Sequence, residues 1–338
     1  MDLQGKKIWI TCGGGIGDSI MFTPALRRMK ELYPASHITF MTRWPNQAIL
    51  QGLPYIDELT YIRRGTLGGR WRVLPALCRR QDAIVFTDWQ PQLLLAAKFF
   101  GIPWRAGYPR DGHRFSKYLT KEIEPNVFHS ACYAAETNAR VFSDALGIVL
   151  DGDMTKPDIG TPTQEDCHHV SEMLREMGLD KEEFVILSPF AALAERNWPL
   201  KEAARFIQII EKKYQCPVLV TGPSEHLEAA QSLSRFNLIG RTTVGELVEI
   251  IRRAKILVTP DSGPMHIAGA LGTPVVPLFS KDLPSRWAPR YRCEPVYLAL
   301  PCSPCDDDTA RCCPRQVECM RGITADRVFA ACEMCLSI

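Results

Sequence analysis

Short apolar runs alternate with amphipathic helical stretches along most of the chain, and this alternation constrains the fold more than any other feature. In the first half KKIWITC, SHITFMT, DELTYI and DAIVFTD are typical of strands, and SIMFTPALRRMKELYP, PQLLLAAKFFG and SACYAAETNARVFSDALGI of helices. A second series starts at EFVILSPFA and continues through CPVLVTG and KILVTPDSG to TPVVPLF, with helices predicted between them, among them PSEHLEAAQSLSRF. Strands that alternate with helices form right-handed βαβ units, so the sequence predicts an α/β fold with parallel sheets.

The two series are separated by DGDMTKPDIGTPTQED, which has two prolines, two glycines and no apolar periodicity. Such a segment is typical of a linker. We therefore predict one domain over residues 1–160 and a second over 161–322. Residues 323–338 are expected to form a C-terminal helix that could pack back on the first domain.

Composition and charge narrow the class of protein. Hydrophobic residues make up 46% of the 338, and no apolar run approaches the roughly 18 residues of a membrane span. The N-terminus lacks the apolar core of a signal peptide, so a cytoplasmic protein is expected. Residues 1–150 hold 19 Lys and Arg against 12 Asp and Glu (19 − 12 = +7), whereas the rest holds 21 against 26 (−5). The basic half suits an anionic partner or an anionic membrane surface, although unevenly distributed solvated charge explains it equally well.

The turn after the first strand concentrates glycines ahead of an acid: Gly13, Gly14, Gly15 and Gly17 precede Asp18. Glycines allow positive φ and close approach of a ligand at the sheet edge where ligands bind. The dinucleotide pattern GxGxxG fails because Asp18 stands at its last position, where a carboxylate would repel a pyrophosphate. This disfavours an NAD-dependent dehydrogenase. Asp18 is either a general base aimed at a substrate or a cap of the following helix.

A second turn, in KILVTPDSGPMHIAGALG, has the opposite character. Ser262 and Gly263 open a helix of small residues, and free N–H groups at a helix N-terminus bind anions. His266 lies in the first turn, where it can reach an oxygen of a phosphate or sugar. Asp261 would repel phosphate and is better suited to accept hydrogen bonds from sugar hydroxyls. The alternative is that Asp261 is an N-cap and His266 a surface residue.

Two more candidates follow strands of the second series. Arg196 lies in the loop of LSPFAALAERNWPL, where an arginine can bind phosphate with two N–H groups or simply face solvent. Glu225 follows the strand CPVLVTG and could bind a ribose diol, or it could be an ordinary acid near a helix start.

The 13 cysteines are concentrated near the C-terminus, with seven between Cys302 and Cys335. Four of them have the spacing of ligands for structural zinc or a cluster: Cys302, Cys305, Cys312 and Cys319. Cys313 could take the place of Cys312. Free thiols or disulfides that pack a loop-rich tail are favoured over such a structural metal. The run Asp306 to Asp308 matches the DxD pattern of metal-dependent transferases, but its proline- and cysteine-rich surroundings favour a solvated loop.

Three stretches in this order resemble glycosyltransferase family 9, the ADP-heptose:lipopolysaccharide heptosyltransferases: GIGDSIMFTPALRRMKELYP, ERNWP and TPDSGPMHIAGALGTPVVPLF, with CSPC near the end. The resemblance implies a GT-B fold, in which two Rossmann-like domains with parallel sheets face each other across a cleft. It implies that the first domain takes the acceptor, next to Gly15 and Gly17, and that Asp18 is the general base. The second domain would bind the nucleotide sugar.

The resemblance also implies donor-side roles. The turn that binds sugar and diphosphate falls on Asp261, Ser262, Gly263 and His266, the phosphate-binding residue on Arg196, and the ribose-binding acid on Glu225. The sequence departs from the family at SPFA, where HPGA is common and Phe190 replaces the glycine, and at Arg196, where many members have lysine.

The implied reaction is an inverting transfer of a heptose or related sugar from a nucleotide-diphosphate donor, expected to be ADP-heptose, to a lipopolysaccharide core or similar bacterial glycan. No cofactor or catalytic metal is expected. The expected acceptor is an anionic glycolipid, with peripheral contact at the cytoplasmic face of the inner membrane and no nucleic-acid partner. A nucleotide-sugar epimerase and a non-catalytic nucleotide-sugar-binding protein of the same fold are the alternatives.

Overall fold

A computed structural model describes residues 2–63, 80–124, 132–305 and 312–337. The chain divides into two compact units, Met1–Thr161 and Pro162–Ile338. The division falls within the segment 151–166, where prolines and glycines interrupt the apolar pattern. The described residues contain no helix with both the length and the apolar character needed to cross a bilayer.

The described part of the first unit contains a parallel sheet of six strands in the order β3-β2-β1-β4-β5-β6. The strands are β1 (Lys7–Thr11), β2 (His37–Arg43), β3 (Glu58–Ile62), β4 (Ala83–Phe86), β5 (Trp104–Gly107) and β6 (Lys121–Glu122). The helices are α1 (Ile16–Leu32), α2 (Pro91–Phe99) and α3 (Ala134–Leu146). The predicted parallel α/β architecture is therefore confirmed for this unit.

Strand β1 lies at the centre of the first sheet and determines where its loops diverge. Ile8, Trp9 and Ile10 are fully buried, as expected for a parallel strand covered on both faces. The chain proceeds from β1 to β2 and β3 on one side and from β4 to β6 on the other. The carboxyl ends of β1 and β4 consequently form a topological switch point, where ligands of open α/β sheets bind.

Where the structure describes it, the second unit contains a parallel sheet of five strands, in the order β11-β10-β9-β7-β8. The strands are β7 (Val185–Leu187), β8 (Val218–Val220), β9 (Ile256–Pro260), β10 (Val275–Phe279) and β11 (Val296–Tyr297). Its helices are α4 (Gln164–Glu176), α5 (Leu200–Tyr214), α6 (Leu227–Ala230), α7 (Val244–Arg253), α8 (Gly263–Leu271), α9 (Pro284–Trp287), α10 (Glu318–Arg321) and α11 (Ala325–Ser337). Here the switch point lies between β7 and β9, so the loops after these two strands meet at one edge.

The C-terminal helix belongs to the second unit. Helix α11 packs on α5 and β10. Val328 and Cys332 of α11 are buried in the same hydrophobic core as Phe206 of α5. Residues 323–338 were expected to form a separate helix that could pack back on the first domain; the apolar face of α11 is instead part of the core of the second unit.

Two local predictions differ from the structure. The stretch PSEHLEAAQSLSRF was predicted to be one helix but contains only a 3-10 turn, Ser224–His226, and the short α6. In its second part Ser234 Oγ accepts from the Phe236 N–H at 3.1 Å, a backbone group that a helix would use, and donates to Val218 O of β8 at 2.7 Å. Conversely, the sequence analysis overlooked α4, which begins in the last three residues of the predicted linker and continues to Glu176. The sequence signal was the capping box in TPTQED, with Thr163 three residues before Asp166. In the structure Thr163 Oγ1 accepts from the N–H of Asp166 at 3.1 Å.

Candidate functional site

In the first unit, Asp18 lies over the glycine turn that leaves β1. Helix α1 begins at Ile16 with Gly15 as its N-cap, which places Asp18 at the third helical position. Oδ2 of Asp18 accepts a hydrogen bond from the Gly15 N–H at 2.7 Å. The capping role considered from the sequence is therefore present. A carboxylate has several lone pairs on two oxygens, so this bond leaves it able to accept a proton.

Gly13 and Gly14 are required because carboxylate oxygens approach their backbone closely, and not because their backbone has positive φ. None of Gly13, Gly14, Gly15 or Gly17 has positive φ. A Cβ on Gly14 would lie 2.3 Å from Oδ2 of Asp18, and one on Gly13 would lie 1.9 Å from a carboxylate oxygen of Asp88. The turn therefore needs glycine because two carboxylates press against its backbone.

Asp88 is a site residue that the sequence analysis missed. It follows β4, the neighbour of β1, and its Oδ1 accepts from the Gly13 N–H at 3.1 Å and from Gln90 Nε2 at 2.8 Å. The available signal was its position directly after a buried strand, in DAIVFTD. Two acids consequently occupy backbone N–H groups of one turn, and the turn is electrostatically unsuited to an anion.

A small polar network fixes the start of α1. Ser19 Oγ donates to Gly15 O at 3.1 Å and lies 2.9 Å from Thr42 Oγ1 at the end of β2. Asn46 Nδ2 donates to Gly14 O at 3.2 Å.

Burial, followed by the charge of Asp18, raises the pKa of the Cys12 thiol to about 12, so this cysteine is no nucleophile at neutral pH.

In the second unit, α8 begins directly after β9 and has no side-chain cap. Ser262 is the N-cap residue, but its Oγ donates to Pro260 O at 3.2 Å and lies 3.0 Å from Thr259 Oγ1. The Ser262 side chain therefore leaves the first N–H groups of the helix to other partners. A helix start of this kind favours an anionic ligand, because its N–H groups and its dipole act together.

Arg196 joins the loops that follow β7, β9 and β10. Its Nη1 donates to Asp261 O at 3.0 Å and lies 3.1 Å from Asp261 Oδ2. Its Nη2 donates to Asp282 Oδ2 at 2.6 Å. Its Nε is buried without a hydrogen-bond partner among the described residues. The Arg196 side chain is only 20% exposed, so the interpretation as a solvent-facing loop arginine is wrong.

Lys281 and Asp282 were also missed from the sequence, although they follow the buried strand β10 directly. The Lys281 side chain is 8% exposed, and its Nζ lies 3.4 Å from Asp282 Oδ2. Asp282 thus lies between two cations, Arg196 and Lys281. The formal charges of these two side chains are balanced by Asp261 and Asp282.

His266 is buried rather than a surface residue, and it is neutral at physiological pH. It is 4% exposed, and its Nδ1 has no hydrogen-bond partner in the part of the chain that the structure describes. Burial, with a contribution from the charge of Arg196, lowers the pKa of His266 to about 3. His266 can therefore exchange a hydrogen bond with a ligand, but it does not bring a positive charge.

The SPFA departure places an aromatic ring between two loops. Phe190 is buried and stacks on His226 with ring centroids 4.0 Å apart and an interplanar angle of 5°. A Cβ on Gly222 would lie 2.9 Å from the Phe190 ring, which explains the glycine after β8. The adjacent Glu225 is exposed in the 3-10 turn Ser224–His226.

The predicted cysteine cluster is not assembled into a metal centre in the described residues. The cysteines there are free thiols, Cys302 and Cys312 being exposed, and no three His, Cys, Asp or Glu side chains in those ranges are arranged to hold a metal. The disulfide alternative is therefore wrong for them. Asp306, Asp307 and Asp308 lie outside the described residues. Whether Cys302, Cys305, Cys312 and Cys319 bind a metal stays a prediction.

Comparison with known proteins gives concordant results. The profile described as Glycosyltransferase family 9 (heptosyltransferase) matches residues 80–313. Lipopolysaccharide heptosyltransferase 3 of Escherichia coli K12 is 27% identical over 297 residues, which cover 81% of this chain and 82% of that protein.

Two solved structures share the fold. A glycosyl transferase family 9 protein from Veillonella parvula superposes with a TM-score of 0.84 at 21% identity, over 100% of this chain and 99% of that one. The E. coli ADP-heptose lps heptosyltransferase II superposes with a TM-score of 0.76 at 21% identity, over 98% of each chain.

Proposed function

The chain belongs to glycosyltransferase family 9, the heptosyltransferases, and we propose that it transfers a heptose from ADP-heptose to a lipopolysaccharide-core acceptor with inversion at the anomeric carbon. It has the GT-B type of fold, with one Rossmann-like parallel sheet in each unit. The E. coli relatives act on lipopolysaccharide, and one is described as an ADP-heptose enzyme, which supports this donor and this acceptor class.

The proposal rests on one observation: the start of a helix and two cationic side chains meet at the switch point of the second sheet. The uncapped start of α8 lies next to Arg196, whose Nε has no partner among the described residues, and Lys281 is held nearby through Asp282. Backbone N–H groups beside an arginine and a lysine suit a diphosphate. Asp261, paired with Arg196, has carboxylate oxygens of the kind that accept hydrogen bonds from sugar hydroxyls.

In the proposed reaction the first unit supplies the base. Asp18 takes the proton of an acceptor hydroxyl as that oxygen bonds to the anomeric carbon, and the bond from this carbon to the diphosphate oxygen breaks. The sugar passes through a transition state with oxocarbenium character. The proton remains on Asp18 until solvent removes it, so no covalent enzyme intermediate is needed. Gly15 and Gly17, at the start of α1, are proposed to lie on the acceptor side.

The second unit stabilises the leaving group. Negative charge grows on the diphosphate as the glycosidic bond breaks, and the N–H groups of Ser262 and Gly263 can stabilise it together with Arg196 and Lys281. His266, being neutral, contributes a hydrogen bond. The scheme routes no step through a metal, because the helix N–H groups, Arg196, Lys281 and His266 can donate the hydrogen bonds that stabilise the departing diphosphate.

The nucleoside end of the donor is proposed to lie along the loop after β8. Glu225 is exposed there, and a carboxylate can accept hydrogen bonds from both hydroxyls of a ribose. His226 next to it, whose ring stacks on the buried Phe190, offers an aromatic surface for the base. We further propose that the protein works in the cytoplasm, at the membrane that carries the acceptor.

A transfer assay tests the proposal. The purified protein is incubated with ADP-heptose and a heptose-deficient lipopolysaccharide core, with and without EDTA, and ADP release and glycan mass are measured. We expect ADP and a glycan heavier by one heptose only when donor and acceptor are both present, and equal rates with EDTA. Turnover of donor without acceptor would instead indicate an epimerase or hydrolase, and saturable donor binding without any product would indicate a binding protein.

A further inference from the structure

An exposed tryptophan lies at the end of β2, next to the strand that leads to Asp18. Trp44 follows β2 directly and is 50% exposed. Its N–H donates to Ile62 O at the end of β3 at 2.9 Å, so the fold uses its backbone. A single exposed aromatic residue is not by itself a site. What distinguishes Trp44 is its place at the carboxyl ends of parallel strands, where ligands of open α/β sheets bind.

Side chains on both sides of Trp44 in the sequence hold it beside the glycine turn after β1. Thr42 Oγ1 lies 2.9 Å from Ser19 Oγ, in the first turn of α1. Asn46, only 5% exposed, donates from Nδ2 to Gly14 O at 3.2 Å. Since β2 is the parallel neighbour of β1, the end of β2 is one strand spacing, about 4.8 Å, from that turn. Trp44 therefore lies on the sheet edge that carries the proposed general base.

Arg63, directly after β3, adds a cation to the tryptophan. Its guanidinium carbon lies 4.5 Å from the centroid of the Trp44 ring, and the residue is exposed. A guanidinium over an aromatic face is attracted by the quadrupole of the ring. Its five N–H donors lie in one plane, which allows it to keep this contact and to bind a carboxylate or phosphate with two of them. Trp44 is half exposed with Arg63 in place, so both side chains can contact one ligand.

This pair of side chains matches a sugar ring that carries an anionic group. One face of a pyranose presents C–H bonds with small positive partial charges, and such a face packs on the negative face of an indole ring. The hydroxyl groups of the sugar stay at the edge of the stack. A carboxylate or phosphate on the same sugar can then pair with Arg63. A purely apolar ligand would use the ring alone, and a neutral sugar would not use the charge of Arg63.

We propose that Trp44 and Arg63 form the platform that holds the acceptor sugar for transfer, and that this sugar carries a carboxylate or a phosphate. The inference rests on the proposed function for the acceptor, and it adds the residues that select it. Trp44 packs on the C–H face of the ring, Arg63 pairs with the anionic group, and a hydroxyl of the same sugar lies within reach of Asp18. Trp44 and Arg63 take no part in proton transfer, so they determine acceptor specificity.

Titration calorimetry without donor measures acceptor binding directly. The probe is a deacylated, heptose-deficient lipopolysaccharide core oligosaccharide, which has no acyl chains through which it could bind. We expect Trp44→Ala to bind it about tenfold more weakly, and Trp44→Phe, which keeps a ring, roughly threefold more weakly. The matched control is Phe99→Ala. Phe99 is 84% exposed in the same unit but ends α2, the helix that returns from the carboxyl edge of the sheet to its amino edge, so wild-type affinity is expected.

A neutral form of the same oligosaccharide tests the role of Arg63. Carboxyl reduction and dephosphorylation remove its negative charges but keep its sugar rings. We expect the wild type to bind the neutral form at least about tenfold more weakly than the anionic form. Arg63→Gln, whose planar amide has no charge, should bind the two forms alike.

In the transfer assay the KM for acceptor should rise in Trp44→Ala, whereas the Kd for ADP should stay at its wild-type value. Equal oligosaccharide affinities of wild type and Trp44→Ala, an equal loss in Phe99→Ala, or no measurable binding by the wild type would overturn the proposal. So would an Arg63→Gln variant that prefers the anionic form as strongly as the wild type does. Binding that depends on Trp44 without any heptose transfer would support this site and refute the proposed function. Trp44→Phe keeps the test valid if Trp44→Ala fails to fold.

Discussion

The two units present the same structural position, the turn from a central strand into a helix at a sheet switch point, but different groups surround the N–H groups of the two helix starts. After β1 the helix starts under Asp18, while Asp88 takes another N–H of the turn. After β9 the helix starts without a side-chain cap, and Arg196 and Lys281 lie nearby. The comparison teaches that a strand–helix turn is not by itself an anion site. Carboxylates that occupy its N–H groups, as Asp18 and Asp88 do after β1, make such a turn unfavourable for an anion.

The largest effect is expected from a substitution that removes the proton acceptor at the turn after β1 but keeps the shape of that turn. Asp18→Asn removes the proton acceptor, but the amide oxygen can still accept from the Gly15 N–H. We expect kcat to fall about 10²–10⁴-fold with little change in the KM for donor. Steady-state transfer kinetics measure this. Asp88→Asn, on the same turn, is the matched control and should lose far less; a loss in kcat as large as that of Asp18→Asn would remove the distinction between the two acids.

The next largest effect is expected from a substitution beside the turn after β9. Arg196→Ala removes the guanidinium beside the start of α8, and hydrogen bonds to charged groups contribute about 1.5–3 kcal/mol, so we expect ADP to bind roughly 10–100-fold more weakly. Titration calorimetry with ADP gives the Kd. Asp282→Asn leaves both cations in place but loosens them, so a smaller weakening is expected. Unchanged ADP affinity in Arg196→Ala would show that the diphosphate lies elsewhere.

A substitution that adds a methyl group tests whether the turn after β1 needs glycine for steric reasons. Gly13→Ala puts a methyl group 1.9 Å from the present position of an Asp88 oxygen, so the carboxylate or the turn must move. We expect a loss of about 1–3 kcal/mol in the free energy of unfolding. Gly15→Ala is the control, because its Cβ would meet its nearest atom at 3.8 Å. Urea unfolding should separate the two variants; similar curves would mean that the close approach is easily relieved.

The smallest effect concerns the pH dependence of the second turn. The folded-state pKa of His266 is about 3, below the ordinary 6.5. As the pH falls below about 6.5, the unfolded chain takes up a proton that the folded chain does not, so stability falls between about pH 6.5 and 3. The slope from this group is at most about 1.4 kcal/mol per pH unit. Urea unfolding of wild type and His266→Gln at pH 7 and 5.5 should show a smaller acid-induced loss in the variant, and equal losses would contradict it.

Several features of the fold and the site could be predicted because they depend on local sequence. Apolar runs specified the buried strands of both parallel sheets, and the strand–helix turns at Asp18 and Ser262 were recognisable from glycine and small-residue content. Helix α4 was also recognisable from its capping box, but the prolines and glycines before it suggested a linker. The contacts of Asp88 and Asp282 were not recognisable, because each acts on a residue far away in the chain.

The sequence by itself determined the α/β class, the strand ends that carry polar side chains and the family to which the chain belongs, since these depend on periodicity and on contiguous motifs. Only the tertiary structure decided which strand ends are neighbours. The order of strands in a sheet is set by long-range packing, and it brings Asp88 to the turn of Asp18 and joins Arg196 to Asp261 and Asp282. Burial in that packed structure also decided that His266 is neutral, because the loss of solvation, and not the residue type, sets its pKa.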